Sequence, residues 1–432
     1  MESPPPLPVG KVFVPGGLPT VTYNPRSELK LEQRVRDYLD ERHRILSVSG
    51  PTKTGKTVLL RSILRDAIWL SGGSITSAED FWTTVADKLC LYTEVVSERS
   101  SEEADKREWS GEARLKIPFA EGKGGRTAGS STTAGASRRL GRSRPASAVV
   151  REALDGSLYS LVIDDFHYVL PEVQLQLVRG LKDLVFDGLA VVVAAVPHRA
   201  YDVMRVEKEM TGRVEQLEVG FWSPNDLQDI ARHGFIGLNV IDTDERLGAR
   251  LATESFSSPH LMQEFCLDLC KRNEIRTQQE VRRELKPPED WGSFFRSRAS
   301  SASKTAFDLL TRGPRQRSDR IVRRLKNGKN SDIYGAVLAA IAETGPLTDL
   351  TYEQLRGSLR DVLSSDVPQR HEVTRVLEEM AKIAKEQIEG EPVVDFDADL
   401  GKLFISDPYF AYYLRWGEEA ASQPATGSPA GR

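Results

Sequence analysis

The sequence predicts an α/β fold, with a parallel sheet flanked by helices, then a helical region, then a small C-terminal domain. Three observations predict it. Short apolar runs at 45–49, 68–70, 160–164, 190–196 and 214–219 alternate with helical segments, a pattern that implies parallel strands covered by helices on both faces. A glycine-containing octapeptide, Gly50-Pro51-Thr52-Lys53-Thr54-Gly55-Lys56-Thr57, stands between the first apolar run and a helical pattern. Beyond residue 331, three helical segments (331–344, 351–363 and 371–388) precede two strand patterns, 393–396 and 402–406, about a turn holding Asp397, Asp399 and Gly401. Three helices and a hairpin predict a winged helix, a relative of the helix-turn-helix.

A chain of 432 residues exceeds one ordinary core, since domains run to about 100–200 residues. Hydrophobic residues at 39% and charged residues at 28% indicate a soluble globular protein. The 59 Lys and Arg against 63 Asp and Glu leave a net charge of −4. Any attraction to nucleic acid must therefore come from a local patch. The three cysteines, Cys90, Cys266 and Cys270, argue against a disulfide framework and fit a reducing compartment. Cys266 and Cys270 lie one helical turn apart in an apolar stretch and read as core thiols. The longest apolar run, 189–196, falls short of the roughly 20 residues of a membrane span. The Pro-rich N-terminus lacks a signal pattern, so the expected location is cytoplasmic, with no membrane partner.

Along the chain, residues 1–17 are rich in Pro and Gly and expected to be irregular. Ser27 is placed to cap a helix reaching residue 43, with Leu29, Leu31, Val35 and Leu39 on one face. Residues 1–43 thus form an N-terminal segment and first helix, ahead of a core at 44–220. In the core, helices are expected at 56–67, 77–89 (opened by a serine cap) and 172–187. Residues 93–147 break the pattern. Within them, 122–146 hold Lys123, Arg126, Arg138, Arg139, Arg142 and Arg144 with no acid. This reads as a disordered insertion, either a solvated spacer or a basic arm touching phosphates. A helical lid at 221–290, a basic linker at 291–330, the winged helix at 331–416 and a disordered tail at 417–432 complete the expected plan.

The octapeptide matches G-x-x-x-x-G-K-[ST] in full, which makes the core a P-loop NTPase. Its glycines let the backbone curl so that N–H groups point at phosphates. Lys56 supplies a point charge to the β- and γ-phosphates. The Thr57 hydroxyl is the candidate magnesium ligand, and the helix beginning there offers its positive end. The apolar run Leu161-Val162-Ile163 ends in Asp164-Asp165. Asp164 is the candidate metal-side acid. Asp165 is the candidate for polarising the attacking water, and being one methylene shorter than glutamate it implies slow hydrolysis. The competing reading of the pair is an ordinary strand-end turn. Polar groups just past strand ends face the ligand crevice, which nominates His198 or Arg199 as a γ-phosphate sensor against a solvated loop. Arg213, just before the next strand, is a candidate finger or sensor against a surface arginine.

These residues resemble the AAA+ and STAND branch of P-loop ATPases, and within it the origin-recognition-like and archaeal-ATPase-type members, over about residues 12–416 apart from the insertion. Tyr23-Asn24-Pro25-Arg26 is similar to the segment lining the nucleotide base in STAND proteins, where only Arg26 carries over. Asp164-Asp165-Phe166-His167 is similar to their double acid followed by an aromatic. Ser257-Ser258-Pro259-His260 resembles their Gly-x-Pro motif, with Ser257 in the glycine's place and Pro259 implied to contact adenine. Ile405-Ser406-Asp407-Pro408-Tyr409-Phe410 and Tyr413-Leu414-Arg415-Trp416 look like the ending of archaeal-type ATPases. The resemblance implies ATP or ADP with Mg2+ as ligands, and a winged helix that closes over the nucleotide.

In the third C-terminal helix Arg375, Lys382 and Lys385 are balanced by Glu372, Glu378, Glu379 and Glu386, a poor surface for phosphates. A basic cluster lies ahead of the winged helix: Arg312, Arg315, Arg317, Arg320, Arg323, Arg324, Lys326 and Lys329, with only Asp319 opposing. It reads as a solvated linker, a DNA-backbone contact or a site for an acidic protein. Two functions follow. The first is a nucleotide-dependent switch with slow ATP hydrolysis, acting on a protein partner or through nucleotide-dependent homo-oligomers. The second is a DNA-handling ATPase that binds DNA through 312–329. A degenerate binder without turnover is the third alternative.

Overall fold

The computed structural model describes residues 5–91, 94–99, 138–196, 212–298, 301–314, 321–345, 349–388, 392–398 and 400–417. The N-terminal half contains helices α1 (Val9–Val12), α2 (Leu31–Glu41), α3 (Lys56–Ile63), α4 (Ala78–Lys88), α5 (Ala146–Leu154) and α6 (Pro171–Phe186). Its strands are β1 (Ile45–Ser49), β2 (Ile68–Ser71), β3 (Glu94–Arg99), β4 (Arg138–Ser143), β5 (Ser160–Asp164), β6 (Ala190–Ala195) and β7 (Val214–Glu218). Five of these strands make one parallel sheet in the order β2-β5-β6-β1-β7. Strand side chains alternate between faces. Leu46, Val48, Val162, Val192 and Ala194 pack with α2 and α3 on one side. Ile45, Leu161, Ile163, Val191 and Val193 pack with α4, α5 and α6 on the other.

Two expectations in this half are corrected. The first long helix begins at Leu31, because Arg26 and Lys30 hold positive φ (47° and 50°) and confine Ser27–Leu29 to a single 3-10 turn. Leu29 is left half-exposed. The insertion is not wholly irregular: its ends pair antiparallel, Glu94 opposite Ser143 through Arg99 opposite Arg138. Of its basic residues, Arg138, Arg139 and Arg142 stand in β4, whereas Lys123 and Arg126 lie outside the described residues. The serine cap at 77 is present, its side chain accepting the Asp80 N–H.

The lid comprises α7 (Pro224–Gly237), α8 (Arg246–Thr253) and α9 (Pro259–Arg272). A capping box between Ser223 and Asp226 opens α7, which satisfies two otherwise orphaned N–H groups. The N-terminal segment is not irregular either. Val9, Val12 and Phe13 are buried in the lid core. Phe13 lies so close that a Cβ on Gly234 would stand 2.2 Å from its ring.

The segment expected to be a linker contains α10 (Trp291–Arg296) and α11 (Ser301–Arg312). Phe294, Phe295, Ala306 and Leu310 are buried, and this apolar content is why the segment packs rather than bridges. The winged helix follows as α12 (Ile333–Glu343), β8 (Asp349–Thr351), α13 (Tyr352–Val362), α14 (Arg370–Gln387), β9 (Val394–Asp397) and β10 (Lys402–Ile405), with α15 (Pro408–Trp416) after them. The three strands pair antiparallel in the order β8-β10-β9. In α14, Val373, Val376, Leu377, Met380, Ile383 and Ala384 are buried. Residues 418–432, expected as a tail, lie outside the described residues.

Lid and winged helix share one continuous hydrophobic core. At its heart Phe295 contacts Trp416 with ring centroids 5.0 Å apart, and Phe265 contacts Tyr412 at 5.5 Å. The Tyr412 hydroxyl donates to the Phe295 carbonyl. Cys266 and Cys270 lie in this core, and burial pushes the Cys270 thiol up to about 12. Glu254, 1% exposed, accepts from Arg415 at 2.9 and 3.1 Å and from the Trp416 indole at 2.9 Å, with Arg250 at 3.3 Å. Removing one partner of a buried ion pair strands the others. Glu254→Ala is therefore expected to destabilise the fold by about 2–4 kcal/mol, measured as the loss of unfolding free energy in urea. A cost within experimental error would show that Arg250 and Arg415 find other partners.

Candidate phosphate-binding site

The octapeptide leaves the C-terminal end of β1, next to the centre of the sheet, and curls into α3. Lys53 and Gly55 take positive φ (59° and 93°), and these two left-handed residues bend the loop back on itself. A Cβ on Gly50 would stand 2.3 Å from the Val219 carbonyl, so glycine is required there. Inside the loop the Thr54 hydroxyl donates to the Pro51 carbonyl at 2.7 Å. The buried Lys56 ammonium donates to the Gly50 and Pro51 carbonyls at 2.7 and 2.9 Å.

The Thr57 hydroxyl, in the first turn of α3, donates to Asp164 Oδ2 at 2.8 Å. The second carboxylate oxygen accepts the Asp165 N–H at 3.2 Å. Asp165 has φ 54° and borders the adjoining cavity. Gly72, after β2, packs so tightly beneath this turn that a Cβ would lie 2.2 Å from the Asp165 carbonyl.

That cavity has a volume of about 650 Å³, within the range of pockets that hold a cofactor-sized molecule. The loop residues Thr52 to Thr57, the segment around Gly16 and Arg26, and Pro259, His260 and Gln263 of the lid all line it. Arg26 is buried and donates to the Gly220 and Phe221 carbonyls at 3.1 and 3.2 Å, its guanidinium 4.8 Å from the Trp222 ring. Burial lowers its pKa. The Trp222 indole donates to the Thr54 carbonyl at 2.8 Å, tying the phosphate loop to the chain entering the lid. Ser257 holds φ 56°, a conformation that favours glycine, ahead of Pro259 at the start of α9. His260 Nδ1 pairs with the Tyr409 hydroxyl at 2.6 Å, and burial lowers the histidine pKa.

The structure brings together Gly50 through Thr57, Asp164, Asp165, Arg26 and Pro259. It does not bring Arg213 to them. That residue precedes β7 at the opposite end of the sheet, its carbonyl accepting from Ile45 at the start of β1 and its guanidinium 5.9 Å from the Phe186 ring. His198 and Arg199 lie outside the described residues, as do Arg315, Arg317 and Arg320 of the basic cluster. Arg323 is buried and donates to the Asp366 carbonyl at 2.9 Å, with Glu372 3.4 Å away, so it serves the fold of the winged helix. Sequence reasoning missed Trp222, and it missed that Asp407 and Tyr409 reach the loop. Lys53 pairs with Asp407 at 3.1 Å and lies 4.1 Å from the Tyr409 ring centroid.

The residues present fit a magnesium nucleotide. A hydroxyl and a carboxylate form a hard-oxygen pair, the kind that holds magnesium alongside substrate phosphates and water. Among the described residues no group of three or more His, Cys, Asp and Glu side chains gathers as a dedicated ion cage.

A scan of protein-family models matches none, and a search of curated proteins finds no match. Solved structures similar to this chain include Cdc6p from Pyrobaculum aerophilum, at 13% identity over 95% of this chain and 98% of that one, TM-score 0.40. The Aeropyrum pernix ORC2 protein, in ADPNP–ADP complexes, matches at 10% identity over 93% and 96%, TM-score 0.46. The Aeropyrum pernix ORC1 protein, solved in complex with DNA, matches at 13% identity over 95% and 97%, TM-score 0.39. The P-loop NTPase fold of the present chain stands on its own sheet order and loop geometry.

Because Gly72 supports the turn that carries both acids, Gly72→Ala is expected to push the Asp165 carbonyl aside. Overpacking of this kind costs about 1–3 kcal/mol, measured as a fall in melting temperature. A variant as stable as the wild type would mean that the turn yields freely and does not hold Asp164 in place.

Proposed function

We propose that this chain binds ATP with magnesium in the cavity beside the phosphate loop and acts as a nucleotide-dependent switch with slow hydrolysis. The observation that carries the reading is the 2.8 Å bond between Thr57 and Asp164, formed at the mouth of a curled loop whose lysine is already directed inward. Loop amides and the N-terminus of α3 hold the phosphates. Lys56 leaves the Gly50 and Pro51 carbonyls for the β- and γ-phosphate oxygens. Thr57 and Asp164 are the residues that would hold the metal. A bound magnesium would supply charge neutralisation on the phosphate oxygens. Asp165 borders the cavity and orients the attacking water. Its short side chain accounts for slow turnover, because proton transfer needs the base within about 3 Å of the water. Arg26 and Pro259 line the same cavity and hold the base.

The switch reading also draws on the cavity walls. The α/β core supplies one wall and the lid another, and the last helix of the winged helix reaches the loop through Lys53. A ligand that binds two arrangements of these parts unequally shifts their populations.

A second reading, DNA handling, is favoured by one observation. Arg324, Lys326 and Lys329 are exposed on the hairpin formed by residues 323–331, which leads into α12. Neutralising these three is the appropriate test, since Arg323 is buried. DNA affinity that falls steeply with salt, and loses that slope in the triple variant, supports phosphate contact. Absence of DNA binding with and without ATP leaves the switch alone.

Two outcomes test the main reading. At a hundredfold excess over Kd, MgATP stabilises a binding-competent protein by about 2.7 kcal/mol, and Lys56→Ala is expected to abolish that thermal shift. An unchanged shift contradicts phosphate binding at this loop. Asp164→Ala is expected to weaken the magnesium dependence of binding more than the affinity for nucleotide alone, measured by titration with and without the metal. Equal losses remove Asp164 from the metal site.

A further inference from the structure

Lys53 occupies a place in the loop that its backbone conformation does not favour. Its φ of 59° lies in the left-handed region, which glycine enters without a Cβ clash. A strained residue at a binding site is a reason to ask what its side chain does. The Lys53 side chain does not point into its own loop. Its ammonium pairs with Asp407 at 3.1 Å and sits 4.1 Å from the centroid of the Tyr409 ring. Asp407 is the N-cap of α15, accepting the Tyr409 N–H at 3.0 Å. Tyr409 also meets His260 in the lid wall of the cavity. From Tyr412 to Trp416 the same helix is joined to the lid through the Glu254 cluster and the aromatic core. Asp407 therefore reaches the phosphate loop from a body that includes both lid and winged helix.

Resting on the reading that the loop binds MgATP, we propose that Asp407 holds the place of a phosphate group on Lys53. In the arrangement seen here the carboxylate neutralises the lysine. When a triphosphate enters, its oxygens compete for the same ammonium, Lys53 turns to them, and Asp407 is released. An unpaired carboxylate beside phosphates is repelled, so the first turn of α15 moves away. Nucleotide binding and detachment of the winged helix from the loop are thus one exchange of anions on one cation. Affinity is reduced by the fraction of molecules held in the paired state.

The test is a double-mutant cycle on MgATP affinity together with amide hydrogen exchange, using the full chain. Asparagine retains the capping oxygen, so Asp407→Asn removes charge and keeps α15 capped. This variant is expected to bind MgATP about fivefold more tightly than wild type, the scale of a partly exposed pair. In a Lys53→Gly background the same change is expected to have no effect, because the competition has lost its cation. In the wild type, MgATP is expected to speed exchange of the amides at 408–411, and Asp407→Asn to exchange fast without nucleotide. An Asp407→Asn affinity equal to wild type overturns the proposal. So does an equal gain with and without Lys53, which would assign the effect to simple charge repulsion, and so does unaltered exchange at 408–411 on MgATP addition. MgATP binding by wild type that Lys56→Ala abolishes, with any of these results, leaves the nucleotide site standing and removes only the exchange. No MgATP binding by either wild type or Asp407→Asn removes both.

Discussion

The candidate site at the head of the sheet depends on two side chains meeting across a strand. Thr57 follows β1 and Asp164 ends β5, and β6 lies between those strands in the sheet. They meet only because all three strands run parallel, so that their carboxyl ends share one edge. The register enforces this, pairing Ser49 with Ala195 and Ile163 with Val193. A shift of one residue along β5 would invert its faces, taking Val162 out of one core and Leu161 and Ile163 out of the other. The apolar alternation that stabilises the sheet therefore also sets the 2.8 Å contact. Stability and site geometry are the same constraint seen from two ends.

The molecule divides its packing unequally. Both faces of the sheet carry their own cores, whereas lid and winged helix share a third. The named contacts from the phosphate loop and the Arg26 segment to the rest are largely polar: Arg26 to the Gly220 and Phe221 carbonyls, Trp222 to Thr54, and Lys53 to Asp407. Hydrogen bonds exchange readily with water and contribute modestly to net stability. An apolar interface of similar extent would resist rearrangement far more. On the proposed reading, a charged ligand would bias how these parts sit without opening a core.

The sheet, the loop, both acids and the three-helix-plus-hairpin domain were legible in the sequence because each rests on local patterning. Strands β1, β5 and β6 are dense apolar runs, and the loop motif is a contiguous octapeptide whose glycines fix its curl. What was not legible came from tertiary partners. The Val9–Val12 turn looked irregular because its apolar residues are sparse among Pro and Gly, yet Phe13 finds a place that Gly234 leaves open. Residues 291–330 looked like a basic linker because charge dominates the average, while Phe294, Phe295 and Leu310 decide the packing. Arg26 and Lys30 broke the first helix through their backbone conformation, which composition does not report. Arg213 stands just before β7, and in a parallel sheet that position lies at the edge opposite the loop, so strand direction already argued against the finger reading.

The cations around the loop show what kind of ligand this arrangement suits. Lys56 is bound to the Gly50 and Pro51 carbonyls, Lys53 to a carboxylate, and Arg26 to two carbonyls and an indole face. Each positive group already has a partner, so an incoming molecule gains only if it offers better acceptors than those it displaces. Neutral or singly charged ligands do not, because a backbone carbonyl pair is already a fair partner for an ammonium. Several anionic oxygens on one short chain would, since they would reach Lys56, Lys53 and the amides at the start of α3 together and bring more negative charge than the carbonyls they replace. On the proposed reading, preference for a polyphosphate would follow from how completely these cations are satisfied beforehand, with the loop shape deciding where the phosphates lie.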